Sequence, residues 1–80
     1  MFYIYFLKSE KDGGIYIGRT NNIKRRFLEH NGGRVSCTKS RRPLTLLGYK
    51  ACNNLKESIK LEKEYKKGFK REQIKKYFGL

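Results

Sequence analysis

Two short runs of aromatic and β-branched residues open the chain, and the seven polar and small residues between them leave few ways to fold. Phe2, Tyr3, Ile4, Tyr5, Phe6 and Leu7 form the first run. Ile15, Tyr16, Ile17 and Gly18 form the second. Such residues fit a pleated, half-buried surface. Lys8 to Gly14 is polar and ends in Asp12, Gly13 and Gly14, a turn signal. The pattern predicts a β-hairpin. If paired positions sum to 21, Ile4 faces Ile17 and Phe6 faces Ile15 on a core side. Tyr5 then faces Tyr16, and Tyr3 faces Gly18, on the opposite side. A slip of one residue would destroy this separation.

Beyond the hairpin, Asn21 and Asn22 are helix N-cap candidates before Ile23. Asn31, Gly32 and Gly33 supply a left-handed C-cap. At about 100° per residue, Ile23 and Phe27 form an apolar stripe, with His30 on its side, Arg26 at its margin and Arg25 at its back. Arg34 to Pro43 reads as a basic loop, and Leu44 to Cys52 as a third strand. Asn54 with Glu57 makes a capping box. The long helix it starts should carry Leu55, Ile59, Tyr65 and Phe69 on one side and weaken at Gly68. A last helix is expected from about Arg71 to Phe78. One domain, residues 1–80, accounts for the whole length.

A chain of 80 residues has a thin core, burying only about 60% of the surface its unfolded form exposes. Twenty Lys and Arg against seven Asp and Glu give a formal net charge of +13. That self-repulsion opposes compaction and points to a polyanionic partner. Nucleic acid fits best, since each neutralised phosphate releases a counterion. No long apolar segment exists, and the basic residues are spread along the chain, which disfavours a membrane surface. Cys37 and Cys52 lack metal-ligand spacing. With no signal-like opening, free thiols in a reducing cytoplasm are expected.

The acidic residues are few enough to sort. Glu57 and Glu64 project away from the apolar stripe of the long helix, whereas Glu62 projects within roughly 20° of Leu55. A carboxylate aimed at a core must find a cation, a metal or several donors. A structural ion pair with Arg or Lys would satisfy it equally well. Arg26 and His30, one turn apart, can grip a phosphate together. Tyr5 and Tyr16 are either cross-strand packing or phenols at a reaction centre. A phenol of pKa about 10 is a poor base unless its surroundings stabilise phenolate. Together, two phenols, an Arg, a His and an inward Glu make a phosphodiesterase kit, with Glu62 holding a hard cation such as magnesium.

Tyr3-Ile4-Tyr5 followed by Tyr16-Ile17-Gly18 resembles the paired motif that names the GIY-YIG nucleases. Tyr3 stands where that motif has its first Gly. The stretch from Tyr16 to Asn31 is similar to the family's second strand and first helix. Its essential Arg, ten residues after the second Tyr, corresponds to Arg26. Its His or Tyr at fourteen corresponds to His30, and its polar residue at three to Arg19. Leu61-Glu62 matches the position of the family's metal-binding Glu. The chain looks most like short stand-alone members, close to the domain found in DNA-repair excinucleases and in structure-selective endonucleases.

The resemblance implies an α+β fold of a three-stranded antiparallel sheet flanked by helices, ordered β-β-α-β-α-α. It implies a metal-dependent endonuclease hydrolysing DNA phosphodiester bonds in repair or processing, with magnesium or manganese on Glu62. Arg26 would hold the phosphate, His30 would assist, and Tyr5 or Tyr16 would position or activate water. Arg19 and the Lys39, Arg41, Arg42 cluster would guide the DNA backbone. Structured or nicked DNA and a recruiting protein are the partners expected. The rival is a non-catalytic basic binder with a nuclease-like fold; a third reading is a small ribosome-associated protein.

Overall fold

A computed structural model describes residues 1–79, apart from the side chains of 68–71. Phe69, expected on the inner side of the long helix, falls outside the described side chains. Strands β1 (Phe2–Ser9) and β2 (Ile15–Thr20) are followed by helix α1 (Ile23–Asn31). A single 3-10 turn (Lys39–Arg41) precedes β3 (Leu44–Cys52). Helices α2 (Leu55–Lys66) and α3 (Gly68–Tyr77) end the order. The strands form one antiparallel sheet ordered β2-β1-β3, the fold class the sequence implies.

The sheet divides the core in two. On one face Ile4, Phe6, Ile15, Ile17 and Cys52 pack with Leu61 and Tyr65 of α2 and Ile74 of α3. On the other, Tyr5, Leu7 and Leu44 pack with Tyr16, Leu46 and Phe27 of α1. Each fully buried Ile, Leu or Phe contributes about 1.5–3 kcal/mol. Both thiols are free, Cys37 exposed and Cys52 buried. Among the described residues, no helix is long and apolar enough to cross a membrane.

Strand register differs from the expected one by two residues. Tyr5 lies opposite Gly18, Phe6 opposite Ile17 and Tyr16 opposite Leu7, so paired positions sum to 23. An even shift keeps every side chain on its expected face. Two local causes set the register. The strands run farther into the turn than alternation alone suggests: Ser9 N–H donates to Gly14 O at 2.9 Å, and Gly13, at φ +74°, donates back to Ser9 O at 2.8 Å. The buried Ser9 Oγ accepts from the amides of Lys11 and Asp12 and donates to Arg41 O at 2.7 Å, tying the hairpin to the loop before β3. At the other end the Tyr5 ring lies over Gly18, where a Cβ would overlap its Cζ and Oη.

Caps fall where expected. Asn22 Oδ1 accepts Arg25 N–H at 3.0 Å, and Asn54 Oδ1 accepts Glu57 N–H at 2.8 Å. Gly33, at φ +77°, carries the chain out of α1 in the left-handed region. Asn31 goes further: its Nδ2 donates to Leu44 O at 3.0 Å and its Oδ1 accepts Leu44 N–H at 2.8 Å. The end of α1 is thereby fixed to the start of β3.

Helix α2 corrects one expectation. Leu55 and Ile59 are 45% and 36% exposed and do not face the core. The inward face runs through Ser58, Leu61, Glu62 and Tyr65, the i, i+3, i+4, i+7 spacing of one helical face. Ser58 is buried because its Oγ satisfies itself on Leu55 O at 2.6 Å. The third helix also begins earlier than expected, immediately after Lys67.

Gly18→Ala should force the pinned Tyr5 ring aside and destabilise the fold by about 1–3 kcal/mol, the usual cost of overpacking. Denaturant unfolding with an unchanged midpoint would refute this account of the register.

A candidate active site around Tyr5 and His30

Tyr5 reaches across the α1 face of the sheet, and its hydroxyl lies 2.8 Å from His30 Nε2. His30 is fully buried under the last turn of α1, and its Nδ1 lies 2.7 Å from Thr38 Oγ1. Thr38, also buried, is 3.4 Å from Val35 O. One proton arrangement satisfies each donor. Thr38 donates to the carbonyl, Nδ1–H donates to Thr38, and the Nε2 lone pair accepts the phenolic proton. The Arg26 guanidinium beside Tyr5 is donor-only and can only give to the phenol oxygen, which agrees with this direction.

Electrostatics follow from burial. His30 is held down to about 4, first by burial and then by the Arg26 charge, so the imidazole is neutral at pH 7. Burial raises the Tyr5 phenol, while Arg26 opposes the rise by bonding to it and by its charge. Burial also raises Tyr16, reinforced by the Cys37 thiol at its hydroxyl and by Tyr5. The Tyr16 ring lies 6.2 Å from the Tyr5 ring and 5.0 Å from the imidazole, centroid to centroid. Tyr16 is half-buried and reaches solvent, whereas Tyr5 is almost fully enclosed. Arg26 also pairs with Glu29, Nη1 to Oε1 at 3.3 Å.

Tyr5, Tyr16, Arg26 and His30 therefore gather at one place. Glu62 comes from the other face. Alternation along β2 points Tyr16 toward α1 and Arg19, opposite Ile4, toward α2. There Arg19 Nε meets Glu62 Oε1 at 3.6 Å, and Lys66 Nζ meets Oε2 at 3.1 Å. The site thus wraps around the edge strand. The Glu62 charge still reaches the Tyr5 hydroxyl, as the weakest of the influences on it. Arg19 Nη1 is buried and has no acceptor among the described residues, a costly state for a charged donor. A phosphate oxygen or a water would satisfy it.

Among the described residues, no three His, Cys, Asp or Glu cluster as a metal cage. Magnesium does not require one: it binds through one or two carboxylates, with water and substrate phosphate completing its shell. Glu62 alone fits that role in charge and donor type, provided Arg19 and Lys66 turn from its oxygens.

Of the expected backbone guides, Lys39 and Arg42 are exposed. Arg41 is instead engaged, with Nε 3.0 Å from Asp12 Oδ2, and braces the hairpin turn. That pairing, together with the Gly14 amide, holds the Asp12 carboxyl at about 2. Sequence reasoning missed Thr38, Cys37 and Lys66. Of these only Lys66, one helical turn after Glu62, carried a readable signal.

The depressed His30 value makes stability depend on acid. An unfolded imidazole takes its proton near pH 6.5 and the folded one near 4, so stability is complete above 6.5 and falls as pH drops toward 4. That window corresponds to about 3 kcal/mol. Unfolding midpoints should fall more steeply over it for the wild type than for His30→Gln. An imidazole titrating near 6.5 by NMR would contradict the buried hydrogen-bonded chain.

Comparison with known proteins agrees with this arrangement. Residues 1–77 match the GIY-YIG catalytic domain. A UPF0213 protein of Staphylococcus saprophyticus is 35% identical over 74 residues, covering 91% of this chain and 89% of its own. A UPF0213 protein of Syntrophus aciditrophicus is 36% identical over 74 residues, covering 90% and 84%. The solution NMR structure of a UPF0213 protein from Bacillus halodurans superposes with a TM-score of 0.57 at 32% identity, covering 92% of this chain and 82% of that one. With nearly its whole length matched, this chain belongs to the GIY-YIG nuclease family.

Proposed function

We propose that the protein is a metal-dependent endonuclease that hydrolyses DNA phosphodiester bonds and serves DNA repair or processing. The observation that carries this reading is the 2.8 Å contact between the Tyr5 hydroxyl and a neutral, buried His30 Nε2, with the Arg26 guanidinium beside the same phenol. A packing tyrosine has no need of a proton acceptor on one side and a cation on the other. The formal charge of +13 supports a polyanionic substrate.

Each residue has a task in such a reaction. Tyr16, the phenol open to solvent, orients the attacking water. Tyr5 accepts a proton from that water as it passes its own to His30 Nε2. The water oxygen bonds to phosphorus, the bond to the leaving oxygen breaks, and that oxygen takes its proton from solvent. Arg26 binds the phosphate and stabilises the charge that builds on it. A phosphate on Arg26 also offsets the charge that, after burial, most depresses His30, so the base strengthens when substrate arrives. Arg19, with its unsatisfied Nη1, offers a second phosphate contact. Glu62 would hold magnesium or manganese, which supplies Lewis-acid stabilisation of the phosphoryl charge.

Supercoiled plasmid incubated with magnesium or manganese tests the reading. Nicking should appear and should stop on addition of chelator. Glu62→Gln should lower nicking by at least about 100-fold, while a salt-sensitive gel shift persists. Turnover unchanged in Glu62→Gln removes Glu62 as the metal ligand. A gel shift with no nicking in the wild type leaves a non-catalytic nucleic-acid binder.

A further inference from the structure

An open cleft of about 550 Å³ lies beside the candidate active site. Its walls are Tyr3 and Tyr49, packed edge to face with ring centroids 5.6 Å apart at 85°. Phe27 and Leu46 line it as well. Its rim is Asn21, Asn22 and Lys24, where α1 begins. Register joins the cleft to the site: Tyr3 precedes Tyr5 by two residues on the same sheet face, and Tyr49 sits directly opposite Tyr5 across the β1–β3 pair.

We propose that this cleft receives an unpaired nucleobase next to the scissile phosphate, so that the preferred substrate carries single-stranded DNA at the cut. The proposal rests on the nuclease reading and narrows its substrate class.

Three observations support that occupant. Tyr49 is 59% exposed although it lies within a paired strand, so a large aromatic surface faces the cleft unused. Every base has a π-face that can stack on such a ring, whatever its sequence. The rim chemistry suits a nucleotide: the carbonyl oxygens of Asn21 and Asn22 are taken by Arg25, which leaves their NH2 groups as donors. Lys24 stands ready for a phosphate, and the first turn of α1 holds no acidic residue. Charge disfavours the other occupant of an aromatic cleft, a second copy of this chain, because each copy brings +13. A paired base cannot enter, because stacking in the duplex covers its faces; a splayed base presents one to the ring.

Fluorescence anisotropy with chelator present separates binding from cleavage. The probes are a labelled single-stranded 12-mer and a blunt duplex of the same sequence. The wild type should bind the single strand more tightly. Tyr49→Ala should weaken single-strand binding roughly tenfold and leave duplex binding within about twofold. Tyr49→Phe should retain the wild-type preference. So should Tyr77→Ala, which removes an equally exposed tyrosine from α3 beyond the opposite face. Equal loss on both probes, or no loss on either, overturns the base site and leaves the nuclease reading standing. The selective loss in a chain that nicks no plasmid sustains the base site and sinks the nuclease reading. A wild type that binds neither probe overturns both.

Discussion

The Tyr5 ring lies over the one residue across the β1–β2 pair that has no side chain. Much of the site depends on that close approach. With the ring laid over Gly18, the hydroxyl is carried to the imidazole of the helix that covers the same face. The imidazole is in turn fixed by a threonine from the loop beyond, and the helix by an asparagine that bonds both ways to the start of β3. Each of these contacts is short and directional, and in so small a core a displaced aromatic ring has nowhere else to pack. The chemistry and the stability of this protein are therefore drawn from the same few side chains.

The edge position of β2 explains how so few residues assemble a phosphate site. Alternation sends Tyr16 to one face and Arg19 to the other, so a single strand serves both the phenol side and the carboxylate side. Without metal, Glu62 is the point where excess positive charge is locally discharged, between Arg19 and Lys66. A divalent ion bound there would take over that neutralising role and free two cations for the backbone of a nucleic acid.

What could be read in the sequence was local. The hairpin, the capping asparagines and the bounds of β3 follow from alternation and from side chains that bond to amides two or three residues away. Four of the five expected site residues meet because strand parity and helical period place Tyr5, Tyr16, Arg26 and His30 on facing surfaces. The hairpin register was not legible, since it depends on Ser9 bonding across the turn and on a ring seated over a glycine. The inner face of α2 was misplaced because a serine that satisfies its own hydroxyl reads as polar, while Leu55 and Ile59 read as core and are not. Thr38 had no signal at all: its partner is eight positions away in an irregular loop, and only the tertiary fold joins them.

The turn joining β1 to β2, residues 10–14, acts as a ruler for chemistry at the other end of the hairpin. Lengthening it by an even number of residues would preserve which way every side chain points, yet could slide the glycine from beneath the ring and put a Cβ in its place. An odd number would turn β2 over and exchange its phenol for its guanidinium. The length of a solvent-facing loop, which touches neither phenol, thus decides whether the reaction centre has room to exist.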